Sequence, residues 1–385
     1  MITKLLSGLL VLLALAPPAS AQEQNVSIAF IDRAGDPFYA PSEGYGGIYR
    51  VDRGSVIAGA ELAIKDAKIL ERAENVKFTL VHRTLEAGET VEASLLELAK
   101  SGAPVAAILD LPLDEVEAAS HGASLPLFNI RHRDVGLRQR TCNTRLFHTI
   151  PSDAMLQDGL VQYLRAANYN DVLVIEGDSP ADQAISKAFQ ASAKKFGLDV
   201  AEVRQFVHGN DPRQRDLNNP RLLTGGADYG VVFVADASRE FGRYLPYETY
   251  LPRPVVGTAG LVPHAWHPLW ERHGGPQLSR RFYRLAKRDM TDEDWAAWAA
   301  VRSVIEAWIR KGDSLEASLL APDLELELYK AYAGSFRPWN HQLRQGILLA
   351  TEEAVIGLAP VEGALHQFDV LDTLGQDEPE FVCNH

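Results

Sequence analysis

Four aspartates stand at or just beyond apolar runs: Asp32 after VSIAFI, Asp110 after VAAIL, Asp178 after VLVIEG and Asp236 after YGVVFVA. In an open α/β sheet a ligand sits where a strand ends and its helix begins. Carboxylates there would suit a neutral polar or cationic solute, or a hard cation in an oxygen-rich site. The competing reading is helix capping, since aspartate ahead of Leu-Pro or Ser-Pro suits an N-cap. The loop after Ile31 adds Asp36, Phe38, Tyr39, Tyr45 and Tyr49, and Arg131-His132-Arg133 directly follows LPLFNI. Arg131 either neutralises the carboxylates as an ion pair or contacts a polar ligand group. Phe38, Tyr39 and Tyr45, with Trp266 and Trp270, could form stacking walls; the competing reading is ordinary packing. His264, His267 and His273 form a histidine cluster, but an HxxH beside proline in a loop falls short of the converging ligands zinc needs. His267 is therefore a candidate ligand contact beside Trp266, and no metal site or cofactor is assigned.

Catalytic motifs are missing: the chain has no GxSxG, HExxH or P-loop, and Gly44-Tyr45-Gly46-Gly47 does not sit between a strand and a helix. An enzyme is not expected. The 385 residues carry 46% hydrophobic and 23% charged residues, which suits a soluble protein of two domains. A formal net charge of -13 argues against nucleic acid, which needs a positive footprint.

Lys4, the apolar run from Leu5 to Ala16, Pro17-Pro18 and Ala19-Ser20-Ala21 have the form of a secretory signal cleaved after Ala21. The expected mature protein is exported, soluble and not inserted in the membrane. Its two cysteines, Cys142 and Cys383, either form one disulfide or remain free thiols, because sequence does not give their separation.

These candidates need a scaffold, and the chain supplies an alternating one. Strands are expected at Val26 to Ile31, Phe78 to His82, Val105 to Leu109 and Leu125 to Ile130, separated by helical stretches. Strands apolar throughout imply parallel sheets covered on both faces. Arg131 to Asp153 breaks the rhythm and reads as a crossing. A second βα assembly follows, with strands at Val172 to Gly177, Glu202 to Val207, Tyr229 to Ala235 and Val255 to Gly260. Thr291 and Asp294 open a capped helix in which Trp298, Val301, Ile305 and Trp308 fall on core spacing. FRPWNHQLRQGILLAT and AVIGLAP read as a hairpin-like pair. The expected fold is α/β with two Rossmann-like lobes: residues 1–21 as signal, 22–148 plus 258–334 as lobe one, and 149–257 plus 335–385 as lobe two. Crossings near Thr149, Gly257 and Ser335 would make a three-strand hinge.

The order of VSIAFI, RGSVIAGAELAIKDA, RLFHTIPSDAMLQDGLVQYL and VLVIEGDSPADQAISKAF resembles the type 1 periplasmic binding proteins, in the leucine/isoleucine/valine-binding branch of ABC-transporter substrate-binding proteins. WERHGGPQLSRRF, DEDWAAWAAVRSVIEA, SFRPWNHQLRQGILLAT and LDTLGQDEPEFVC look like a narrower group, encoded beside pyrroloquinoline-quinone-dependent alcohol dehydrogenase systems. The resemblance implies a periplasmic, monomeric protein that closes on a small-molecule ligand and presents it to an ABC permease of the inner membrane. It departs from amino-acid binders in one respect. Those relatives hold the ligand carboxylate with hydroxyls and N–H groups after the third strand, where this chain reads LDLPLDEVE. Pro112 has no N–H to give, and Asp110, Asp114 and Glu115 would repel an anion. A neutral or cationic ligand linked to alcohol oxidation is expected; the alternatives are an interaction or sensor protein that kept the fold, and a metal-cation binder.

Overall fold

The computed structural model describes residues 23–43, 50–51, 53–209 and 212–384. The signal-like leader and the loop residues Tyr45, Tyr49 and Gly44 to Gly47 lie outside the described residues.

The strands are β1 (Gln24–Arg33), β2 (Ser42–Glu43), β3 (Arg50–Val51), β4 (Val76–Leu85), β5 (Ala106–Asp110), β6 (Leu127–Asn129), β7 (Leu146–His148), β8 (Asp171–Glu176), β9 (Asp199–Gln205), β10 (Val231–Ala235), β11 (Val255–Gly257), β12 (Val262–His264), β13 (Ile347–Ala350) and β14 (Val355–Ala359). A five-stranded parallel sheet runs β4-β1-β5-β6-β7 and a four-stranded parallel sheet runs β11-β10-β8-β9. Ile28, Phe30, Ile108, Phe128 and Phe147 face one side of the first sheet. Ala29, Ile31, Ala107, Leu109, Leu127 and Leu146 face the other. The second sheet divides likewise, with Val172, Val174 and Phe233 on one face and Leu173, Ile175 and Val232 on the other. The inner strands are covered on both faces, which is why β5, β8 and β10 read as unbroken apolar runs, whereas the edge strand β9 is mostly exposed. The expected two-lobed α/β fold is the observed one.

The helix Asp292–Ile309 opens on a reciprocal capping box between Thr291 and Asp294, and its Trp298, Val301 and Ile305 are buried in the first-lobe core while Trp308 packs at its edge. Helix Ile57–Asp66 crosses it closely. A Cβ at Gly59 would stand 2.0 Å from the Asp294 carbonyl oxygen, so this first-turn glycine is a contact requirement.

A small antiparallel sheet, β12-β13-β14, lies where the lobes meet: Leu348 packs in the first-lobe core, and Ile347 and Leu349 pack in the second. This corrects the expected crossing near Ser335. Phe336 packs on Phe128 and Phe147 in lobe one, with ring centroids 6.2 and 5.1 Å away, and the chain reaches the second core only at Ile347. The segment read as a crossing, Arg131 to Asp153, instead holds a helix (Val135–Arg140) and β7, the edge strand of the first sheet. Helix Gly275–Ala286 was likewise not assigned from the pattern.

The C-terminal tail touches both lobes. Gly375 donates its N–H to Asp158 of helix Asp153–Ala166 at 2.7 Å, and Lys195 donates to the Gly375 carbonyl at 2.7 Å. Eight residues later Cys383 is bonded to Cys142, beside the first-lobe helix Val135–Arg140. The cysteines therefore pair.

Candidate functional site

Strand order fixes where a ligand would sit. In the first sheet the chain moves outward from β1 to β4, then returns to the other side of β1 as β5; in the second it moves from β8 to β9 and returns as β10. The crevices β1/β5 and β8/β10 are thus the topological switch points, and side chains beyond their carboxyl ends are the expected ligand contacts. Asp32 and Asp110 are register partners at the first of these. Asp178 and Asp236 follow the strands of the second.

At the first switch point the side chains form one network. Asp36 caps a short 3-10 turn, Pro37–Tyr39, by accepting from the Phe38 N–H at 2.9 Å. Arg131 donates to Asp36 Oδ2 at 2.8 Å and Asp110 Oδ1 at 3.2 Å, and its own N–H is fixed by Asn129 Oδ1 at 3.1 Å. Tyr39 donates its hydroxyl to the other Asp110 oxygen. The Phe38 ring lies between two guanidinium groups, Arg53 at 4.3 Å and Arg131 at 4.6 Å. Asp32 Oδ2 is 2.8 Å from His82 Nε2, while its buried Oδ1 has no hydrogen-bond partner among the described residues. Asp32, Phe38, Tyr39, Asp110 and Arg131 are thus brought together, and Arg131 is an ion-pair partner.

Capping does not explain Asp110 or Asp178. Pro112 is the N-cap of helix Leu113–His121, with no side-chain bond, and Ser179 caps helix Pro180–Phe196 in a box with Asp182. Burial pushes the Asp110 carboxyl up to about 6; the Tyr39 hydroxyl and Arg131 oppose that rise, and the charges of Asp32 and Asp36 add to it. Burial, then the Asp110 charge and hydrogen bond, raises the Tyr39 phenol well above its usual range. Burial lowers His132 to about 4, so its neutral ring donates Nε2–H to the Leu111 carbonyl at 2.7 Å.

The sign of the Asp110 contribution follows from linkage. The folded carboxyl holds its proton more tightly than the unfolded one, whose ordinary value is 3.8, so its stabilising contribution is full below that value and is lost as pH rises through about 6. At pH 8 the buried carboxylate costs about 2–3 kcal/mol relative to pH 3. The stability difference between Asp110→Asn and the parent should therefore move by about that amount in the variant's favour between those pH values. Denaturant melts at both pH values check this, and a pH-independent difference would contradict the buried-carboxyl account.

The second switch point is arranged differently. Asp236 is fully buried and closes its own turn, accepting from Ser238 Oγ at 2.6 Å, the Arg239 N–H at 3.0 Å and the Gly242 N–H at 2.8 Å. It is a turn cap, which corrects its assignment as a ligand contact. Asp178 is exposed and accepts from the His208 N–H at 3.3 Å. The central pair is Asp182 and His208, 2.7 Å apart, with Asp182 also accepting from Ser179 Oγ and the Ala237 N–H at 2.6 Å each. Burial disfavours the His208 cation, but the Asp182 hydrogen bond and charge, with Asp236 and Asp178, outweigh it and raise the imidazole pKa. Donor atoms of Asp182, His208 and Asp236 lie within 4.8 Å of one another. Their oxygens already accept N–H and O–H groups, so a cation there would have to break bonds the fold uses. Neither residue was singled out from the sequence: the Ser179-x-x-Asp182 spacing of a capping box is the signal that could have pointed to Asp182, and nothing local points to His208.

Trp266 and Trp270 are core residues, 2% and 6% exposed, and not walls of an opening. Trp266 receives a backbone tether from Asp292, which accepts its N–H at 2.8 Å, and Trp270 donates its indole N–H to the Tyr329 carbonyl at 2.9 Å. His267 is half-buried beside His264, with ring centroids 5.4 Å apart. His273 stacks on Trp270 at 6.0 Å instead of converging with the other two.

No protein-family model matches the chain, and no curated protein does. Solved structures match along most of its length. An ABC transporter substrate-binding protein from Desulfitobacterium hafniense in complex with Leu is 16% identical, over 86% of this chain and 99% of that one, with a TM-score of 0.62. The branched-chain amino acid transporter substrate-binding protein LivJ from Streptococcus pneumoniae, in complex with isoleucine, is 16% identical over 87% and 99%, with a TM-score of 0.60. An ABC transporter solute-binding protein from R. palustris in complex with benzoate is 12% identical over 87% and 96%, with a TM-score of 0.59. Among the described residues no helix is long and apolar enough to cross a membrane. The likeness is one of architecture: the chain has the two-lobed α/β fold of type 1 periplasmic binding proteins.

Proposed function

We propose that the protein is the exported solute-binding component of an ABC-type transporter, taking a small neutral or cationic molecule between its lobes in the periplasm. The observation that carries this reading is the Asp32–Asp36–Tyr39–Asp110–Arg131 network at the β1/β5 switch point, in a fold whose solved neighbours hold Leu, isoleucine or benzoate. Three carboxylates against one guanidinium, beside a proline N-cap that offers no N–H, disfavour an anionic head group there. Closure of two such lobes excludes water and lets each contribute contacts. With no catalytic constellation in the sequence, binding and presentation to a permease is the activity proposed, and the protein is proposed to act as a monomer. The link to quinone-dependent alcohol oxidation rests on the C-terminal segments alone.

A thermal-shift panel of alcohols, aldehydes, amines, carboxylic acids, the quinone and metal salts tests the reading. A binder should raise the melting temperature with concentration by mass action, by about 2.7 kcal/mol of stability at a hundred times its Kd. A flat response across the panel would count against solute binding and favour an interaction protein that kept the fold.

A further inference from the structure

One donor of the first-lobe network is carried by a short turn and not by the sheet itself. Tyr39 lies on a three-residue turn above the β1/β5 crevice and gives its hydroxyl to Asp110, the carboxylate at the strand end. Beside Asp110 lies its register partner Asp32, whose Oδ1 is inaccessible and has no hydrogen-bond partner among the described residues. The phenol has one proton to give, and Asp110 takes it. Arg131 is already committed to Asp36 and the far oxygen of Asp110, and His82 to the other oxygen of Asp32. What remains is one oxygen of Asp110, Oδ2, met by the Tyr39 hydroxyl on its short turn, and one oxygen of Asp32, Oδ1, with no donor among the described residues.

Resting on the solute-binding reading above, we propose that Tyr39 holds, in the ligand-free protein, the place of a ligand ammonium group, so that the cleft selects small primary amines over the matching alcohols and acids. An ammonium carries three donors and a full charge, against one donor and no charge for a phenol or alcohol. It can replace the Tyr39 hydroxyl on Asp110 and also supply the missing donor to Asp32, and to the hydrogen bonds it adds the attraction of a full positive charge for two carboxylates, which a hydroxyl lacks. An alcohol only exchanges one hydroxyl for another. A carboxylate meets Asp32, Asp36 and Asp110, with Arg131 already paired to two of them and Arg53 held on the Phe38 ring. Phe38, held between Arg53 and Arg131, anchors the turn, so displacement of Tyr39 is a movement of one side chain and its turn.

The test is calorimetric titration of the full mature chain at pH 8, where Asp110 is ionised, with benzylamine, benzyl alcohol and benzoate, and with the corresponding four-carbon compounds. Amines should bind at least tenfold more tightly than their alcohols, and Tyr39→Phe should tighten the amines by about tenfold, because the internal competitor is gone. A second readout does not need the variant: amide hydrogen exchange in residues 33–41 of the parent should quicken when benzylamine saturates it. Alcohols or acids binding as well as amines, or Tyr39→Phe leaving amine affinity unchanged or weaker, or slower exchange in that segment, would overturn the proposal while leaving solute binding intact. Failure of all six probes with both parent and variant would overturn the solute-binding reading for these ligand classes and this proposal with it.

Discussion

Asp372→Ala should remove about 3–5 kcal/mol of stability, the loss expected when one partner of a buried charge pair is deleted. Asp372 accepts from Arg337 Nε at 2.8 Å, from Arg344 Nε at 2.8 Å and from Arg344 Nη2 at 2.9 Å. The Arg337 and Asp372 side chains are 1% and 2% exposed. Burial already depresses the Arg337 pKa, and the Asp372 charge opposes that. Two backbone carbonyls, Leu371 and Leu374, accept from Arg337 Nη2 at 2.8 and 2.7 Å, but they carry no charge to replace the lost carboxylate. The pair Arg337→Met with Asp372→Leu should recover only part of the loss, because it leaves Arg344, 13% exposed, without the Asp372 carboxylate and the Leu371 and Leu374 carbonyls without their donor. Urea unfolding of the single and double variants checks both statements. A single variant within about 1 kcal/mol of the parent would mean the guanidinium finds water after all.

Cys142→Ser with Cys383→Ser should cost about 2–5 kcal/mol. The bridge joins positions 241 residues apart, with Cα atoms 6.0 Å from each other. Chain-entropy arguments place the largest stabilisation on long loops, at about 5 kcal/mol for this length, and measured values usually fall below that bound. Thermal unfolding of the parent with and without reductant gives the same comparison without mutation. A melting temperature that reductant leaves unchanged would show that the bond does not form.

Much of the fold was legible because its strands are buried on both faces, and that signal is local. The helix at Asp292 was legible from its capping box, and the apolar stripe behind it from spacing. What was not legible depends on distance in the chain. β7 is three residues at a sheet edge, too short for a periodic signal, and its segment is dominated by arginines whose partners are far away, such as Gln342 for Arg138 at 3.0 Å. Trp266 and Trp270 looked like walls because they sit in a proline- and histidine-rich loop; their burial comes from helices packed over that loop. Aspartates at strand ends were found, but their roles were not separable. Asp110 faces Arg131 and Tyr39, Asp236 folds onto its own turn, and which happens is decided by neighbours the local sequence does not contain.

The doubly anchored tail sets a mechanical limit. From Gly375, held on the second lobe by Asp158 and Lys195, to Cys383, bonded to the first, there are about eight residues, and even pulled straight they span no more than ~28 Å. The tail is a leash from one lobe to the other: it limits how far Asp158 and Cys142 can part. Cutting the sulfur bond would lift that limit while leaving the Asp32–Asp110–Arg131 network as it is.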